Sequence, residues 1–203
     1  MKQFVTIFFV TVLAGCSFGP AVRTTPVIYD LGAPRAATTG NKNISASVLV
    51  HNVEAPFWLD TPAIVYRLKS EAGRQQTYAN SHWVAAPAAL LTQSLRDRLA
   101  QVSAGGVVNA ADGVRADYAL RVELEDFAQV FEQADTSRGV VMARASLINA
   151  ARRTLVAQRD FAFERTAATP DAAGGVAALT EAGNDLIDAI VAWVAANIAA
   201  GGQ

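Results

Sequence analysis

Residues 116–125 read Ala-Asp-Tyr-Ala-Leu-Arg-Val-Glu-Leu-Glu, an alternating pattern from which a sheet can be predicted. Apolar side chains occupy every second position from Tyr118 onward, with alanine or charged residues between them. Such alternation predicts a half-buried β-strand, which we expect over residues 116–130. The runs 140–150 and 154–164 also have a strand-like composition, and short polar segments separate all three. Three adjacent strands joined by short turns indicate an antiparallel meander.

Two helices accompany these strands. Leu91, Leu95, Leu99 and Val102 recur at spacings of four, four and three, which predicts a helix from Pro87 to about Val102 with one apolar stripe. The polar residues Gln93, Arg96, Asp97 and Arg98 are expected to face water. A second helix should begin after Pro170 and Asp171, with an apolar stripe running from Val176 to Ile198.

The order of the elements predicts the fold class. Before the first helix we expect strands at 27–31, 44–53 and 63–68, the last forming a hairpin with 75–79. Strands, a helix, strands and a helix then follow one another, which favours an α+β fold: a mostly antiparallel sheet with two amphipathic helices on one face. No internal linker interrupts residues 27–203, so we expect a single domain there.

The N-terminus has the pattern of an export signal. Lys2 precedes the short apolar run Phe4 to Leu13, which is too short for a bilayer-spanning helix of about 20 residues. The run ends in Leu13-Ala14-Gly15-Cys16, which resembles the lipobox of bacterial lipoproteins. That resemblance implies a signal peptide at 1–15 and acyl chains such as palmitate on Cys16, the chain's one cysteine. Residues 16–26 would be the lipidated tether. The alternative is an ordinary signal peptide that contains a cysteine.

Composition and motifs argue against several functions. The net charge of −1 gives no basic field for nucleic acid. His51 and His82 lie in no metal-binding spacing, and no serine lies in a Gly-x-Ser-x-Gly turn, so we predict no metal, cofactor or catalytic residues. Glu123 and Glu125 share a strand face and could form an acid/base pair, but a solvated strand face is the simpler interpretation.

Two large aromatic residues stand in a connection between strands. Phe57 and Trp58 occur in Pro56-Phe57-Trp58-Leu59-Asp60, where they would either close one end of the core or form a contact surface for a partner. We favour the first alternative and keep both residues as candidate partner contacts.

A longer pattern resembles a known family. Its residues are Tyr29-Asp30-Leu31, Val53 to Asp60, Ile64 to Arg67, Tyr78-Ala79, His82-Trp83 and the helix from Pro87. They are similar to the core motif of the ABC-type transport auxiliary lipoproteins, which include the outer-membrane lipoprotein of the paraquat-inducible lipid-transport system. The specific match covers residues 27 to about 100.

The resemblance carries several implications. It implies a fold like the TolB N-terminal domain, no enzymatic activity, and partners comprising an MCE-type (mammalian-cell-entry) protein with its ABC permease and ATPase. The function would be to help move lipids or hydrophobic compounds across the diderm envelope. Ser17 after the lipidated Cys16 points to the outer membrane, with the domain facing the periplasm. A scaffold or regulator of envelope assembly and a lipid-anchored hydrolase remain alternatives, and a homo-oligomer is left open.

Overall fold

The computed structural model describes residues 25–33, 35, 42–71 and 73–201. The predicted signal peptide, Cys16 and Ser17 lie outside these residues. The strands are β1 (Val27–Tyr29), β2 (Val48–Val50), β3 (Ala63–Leu68), β4 (Gln76–Trp83), β5 (Val107–Val108), β6 (Tyr118–Gln133), β7 (Thr136–Asn149) and β8 (Thr154–Thr166). The helices are α1 (Pro87–Val102) and α2 (Ala172–Gly201), and a short 3-10 turn spans Ala110–Asp112.

All eight strands belong to one sheet whose central strand is β6. On one side β6, β7 and β8 form the predicted antiparallel meander, paired almost from end to end. On the other side two short strands lie one after the other along β6, and both run parallel to it. β3 continues to β4 and β1, whereas β2 continues to β5. The predicted α+β class is therefore confirmed, and the longest ladders are antiparallel.

Several predicted strand limits differ from the structure. Within the predicted strand 44–53, only β2 is regular, while Ile44 and Glu54 make isolated bridges on either side of it. The hairpin partner predicted at 75–79 extends to Trp83, because its last residues pair with β1. β5 is only two residues long and was not predicted.

Helix α1 has the predicted limits and buries the predicted stripe of Leu91, Leu95, Leu99 and Val102. The prediction that Arg98 faces water is wrong. Arg98 lies seven residues after Leu91, hence on the same helix face, and its buried side chain donates from Nε to Asp188 of α2 over 2.7 Å. Arg96 is also not free in water, since its Nη2 donates to the Val50 carbonyl over 3.0 Å.

Helix α2 begins where Pro170 and Asp171 predict. The Asp171 Oδ1 accepts the Gly174 N–H over 2.9 Å, and this hydrogen bond holds the pKa of Asp171 below its usual value. The helix packs across β6, β7 and β8 and buries its apolar stripe against them. At Gly139 the backbone of β7 comes so close to α2 that no side chain fits between them.

One polar group is fully buried within this sheet. Gln129 of β6 accepts a hydrogen bond from the Tyr78 hydroxyl and donates one to the Ser137 hydroxyl, each over 2.8 Å. Burial raises the pKa of Tyr78 to about 12. The network links β4, β6 and β7 and satisfies both ends of the Gln129 amide.

Candidate docking site

The connection between β2 and β3 is fixed to the fold at its start. The Val53 N–H donates to the Thr92 hydroxyl of α1 over 2.8 Å. Glu54 then joins the edge of β6, donating to the Val122 carbonyl over 2.9 Å and accepting the Leu124 N–H over 2.7 Å. These bonds determine where the chain leaves the sheet.

A tight turn at Pro56 then directs Leu59 into the core and leaves Phe57 and Trp58 exposed. The Leu59 and Asp60 N–H groups both donate to the Pro56 carbonyl, over 2.8 and 3.1 Å. Leu59 is only 2% exposed and packs into the core, whereas Phe57 is 87% and Trp58 45% exposed. The alternative in which Phe57 and Trp58 close the core is therefore wrong, because Leu59 occupies that position.

Phe57 and Trp58 form a local aromatic pair. Their ring centroids lie 5.3 Å apart and the ring planes are inclined by 85°, an edge-to-face arrangement. Such pairs contribute about 0.5–1.5 kcal/mol beyond their burial, which favours one relative orientation of the rings. The pair is thus an ordered apolar projection on a turn whose base is held by hydrogen bonds.

A cavity of about 440 Å³ lies beside Trp58. We call it the Trp58 cavity; it is lined by Glu54, Ala55, Pro56, Trp58, Glu123, Leu124 and Glu125. Its volume lies within the range of about 300–1,000 Å³ that is typical of ligand pockets. Glu123 alternates along β6 with the buried Val122 and Leu124, so the cavity opens on the face of the sheet opposite the helices. We refer to that face as the outer face.

Three carboxylates surround this cavity. Glu54 lies directly opposite Glu123 in the bridge between the connection and β6. Glu125 joins them because it lies two residues after Glu123, hence on the same face of β6, next to the bulge at which the β6–β7 register shifts between Leu124 and Asp126.

Arginines neutralise part of this charge. Arg121 lies 2.9 Å from Glu54, and Arg144 lies 3.5 Å from Glu125. A hydrogen bond to Asp160, then the charges of Asp160 and Glu125, hold the pKa of Arg144 above its ordinary value. Arg144 also lies directly opposite Glu123 in the β6–β7 ladder, and the charge of Glu123 adds to the rise in the pKa of Arg144, although no cation of the described residues comes within ion-pairing distance of Glu123.

The structure offers no support for catalysis at these carboxylates. Glu123 and Glu125 are both exposed, so burial does not prepare either of them as a general acid. Among the described residues, no three histidine, cysteine, aspartate or glutamate side chains are grouped to hold a metal ion. No helix in the described ranges is long and apolar enough to cross a membrane.

The sequence matches one protein family over most of its length. The profile of the ABC-type transport auxiliary lipoprotein components matches residues 29–191. No protein of curated function matches the chain. The chain belongs to the ABC-type transport auxiliary lipoprotein family, which is a family of transport accessory proteins and not a class of enzymes.

Solved structures share the fold at low sequence identity. Protein XCC0632 from Xanthomonas campestris is 21% identical, with a TM-score of 0.76 over 87% of this chain and 99% of that one. The hypothetical protein CT253 from Chlamydia trachomatis is 8% identical, with a TM-score of 0.50 over 77% of this chain and 99% of that one. At these identities the likeness shows the fold alone.

Proposed function

We propose that this member of the family is a lipid-anchored, periplasm-facing accessory component of an ABC transport system with an MCE-type protein. Acyl chains on Cys16 would hold it at the membrane, since two or more chains give stable attachment. Ser17 would direct it to the outer membrane. The cargo would be lipids or other hydrophobic compounds. The observation that carries the proposal is the family match over residues 29–191.

We propose Phe57 and Trp58 as the contact with the partner. Large aromatic residues exposed on a fixed turn are typical of binding anchors, which are rich in tryptophan and tyrosine. Leu59 and not this pair completes the core, which leaves most of the Phe57 ring and nearly half of Trp58 accessible to a partner. The chain's small net charge of −1 favours apolar contact over long-range steering.

The experiment is capture of the transport assembly from crosslinked envelopes of the native host. The acylated wild-type protein should capture the ATPase, permease and MCE-type protein, and the double variant Phe57→Ala, Trp58→Ala should capture clearly less. Its unfolding free energy should fall only by about 0.5–1.5 kcal/mol, the contribution of the aromatic pair, so the variant stays folded. Leu155→Ala is the matched control, because it removes an exposed apolar side chain from a different place, strand β8, and should capture the assembly as wild type does.

The outcomes separate the proposals. Capture of envelope-assembly proteins without any ATPase or permease would favour the scaffold alternative. Equal capture by the double variant would place the contact elsewhere on the molecule. Cys16→Ser should abolish labelling by a radioactive fatty acid, and labelling that persists would refute the anchor.

A further inference from the structure

We infer that the Trp58 cavity receives a cationic side chain, arginine or lysine, from an extended segment of the partner protein. The inference rests on the proposed docking role and adds the chemistry of what is recognised. Phe57 and Trp58 alone would specify only an apolar contact. The carboxylates beside Trp58 restrict the partner to one that carries a positive charge.

The first argument is the unfavourable charge arrangement in the unbound site. Glu54 and Glu123 are directly opposite each other on neighbouring strands, and like charges in this position destabilise a sheet. Arg121 makes an ion pair with Glu54. Arg144 lies directly opposite Glu123 on β7, but its ion pairs are with Glu125 and Asp160 and not with Glu123. A cation placed between the two carboxylates would remove the repulsion and gain two charge-assisted hydrogen bonds.

The second argument is the count of charges around the cavity. Glu54, Glu123 and Glu125 line it, while Arg121 and Arg144 are the arginines that contact them. Arg144 also hydrogen-bonds Asp160 over 2.7 Å, so its charge is shared with a carboxylate outside the cavity. At least one negative charge therefore remains uncompensated, which is the charge that a single arginine or lysine side chain complements.

The third argument is the position of the indole. Trp58 lines the same cavity as the three glutamates, and tryptophan is the aromatic side chain that attracts cations best. Phe57 packs edge-to-face on Trp58 and restricts the movement of its ring. An aromatic face with carboxylates beside it suits a guanidinium or ammonium group on an apolar stem, because the stem can lie against Pro56 and the indole.

The surroundings favour a protein segment over a lipid headgroup. Beyond the cavity the outer face continues as ion pairs, including Arg144 with Asp160, and Arg138 with Glu164. Apart from the Phe57–Trp58 pair and Met142, acyl chains attached to a headgroup in the cavity would lie on these charges, at a cost in desolvation. The backbone and polar side chains of an extended peptide can hydrogen-bond to the same surface.

The test uses the acylated full chain in detergent micelles and the peptide acetyl-Gly-Arg-Gly-amide as the probe. The Trp58 indole N–H resonance, identified by its loss in Trp58→Phe, should shift saturably on titration. Glu123→Gln should weaken this binding about two- to fivefold, the range of one exposed charge pair. Glu164→Gln, a glutamate on β8 that does not line the cavity, is the matched control and should bind as wild type does. The same peptide with norleucine in place of arginine should give no saturable shift.

A second measurement separates this inference from the proposed function. Capture of the transport assembly by Glu123→Lys should fall below that of wild type, whereas Glu164→Lys should capture normally. Full capture by Glu123→Lys would overturn the inference and leave the transport role intact. If the peptide binds saturably but neither wild type nor any variant captures the assembly, the transport role is refuted and the cation site is kept. No peptide shift, or a shift with phosphoethanolamine in its place, would overturn the inference directly.

Discussion

The same substitution at two glycines should change stability in opposite directions. A Cβ atom on Gly139 of β7 would lie 2.6 Å from the Leu179 nitrogen and 2.7 Å from the Ala178 carbonyl carbon of α2. Carbon atoms in favourable van der Waals contact are at least about 3.5 Å apart, so α2 and β7 would have to separate by roughly 1 Å. Because both atoms belong to backbone, no side-chain rotation relieves the contact. We expect Gly139→Ala to cost about 1–3 kcal/mol, the usual effect of overpacking.

Gly183→Ala is the matched comparison, because it makes the same chemical change within α2. Its Cβ would lie 3.6 Å from Leu91 Cδ2 and 3.8 Å from Phe127 Cε2, both ordinary contact distances. Alanine in a helix interior is favoured over glycine by about 0.8–1.0 kcal/mol, so this variant should be as stable as wild type or slightly more stable. Urea unfolding followed by tryptophan fluorescence measures both. Destabilisation of both variants by a similar amount would refute the close packing inferred at Gly139.

Two further predictions concern the core and the buried network. Leu95→Ala should lower the unfolding free energy by about 2–5 kcal/mol because Leu95 is buried between α1 and the sheet, whereas the exposed Leu155→Ala should change it by less than about 0.5 kcal/mol; equal urea midpoints would contradict this assignment. Folding favours the neutral phenol of Tyr78, because its pKa is raised to about 12 in the folded protein. The stability that Tyr78 contributes is therefore complete below the unfolded pKa of about 10 and declines as the pH rises from about 10 towards 12. Tyr78→Phe should therefore lose less stability than wild type between these pH values, and an unchanged slope in alkaline urea melts would argue against the buried phenol.

Local periodicity was enough to predict the meander and both helices. The alternation from Tyr118 to Leu124 and the four-residue spacing from Leu91 to Leu99 are properties of neighbouring residues, and the structure confirms both. The parallel pairing of β2 and β3 with β6 could not be predicted in this way, because it joins segments about 70 and 60 residues apart. A two-residue strand such as β5 has no periodicity at all.

The candidate site depended on details of geometry that residue types do not encode. Phe57, Trp58 and Leu59 are all large and apolar, and only the turn at Pro56 determines which of them enters the core. Glu123 and Glu125 share a strand face as their spacing predicts, but Glu54 meets them only through the bridge to β6, which joins residues far apart in sequence. Arg98 was misassigned because its charge was given more weight than its position on the helix, where the spacing from Leu91 already placed it inside.

Under the proposed docking role, one face of strand β6 would provide stability and the other face recognition. Leu120, Val122 and Leu124 pack on the helix side, while Glu123, between them in sequence, lines the cavity on the outer face. The Phe57–Trp58 turn is likewise held by Leu59 and by backbone hydrogen bonds, not by its exposed rings. Under that proposal, substitutions on the outer face should weaken partner binding without unfolding the protein, and a stable variant that loses capture would have a binding defect.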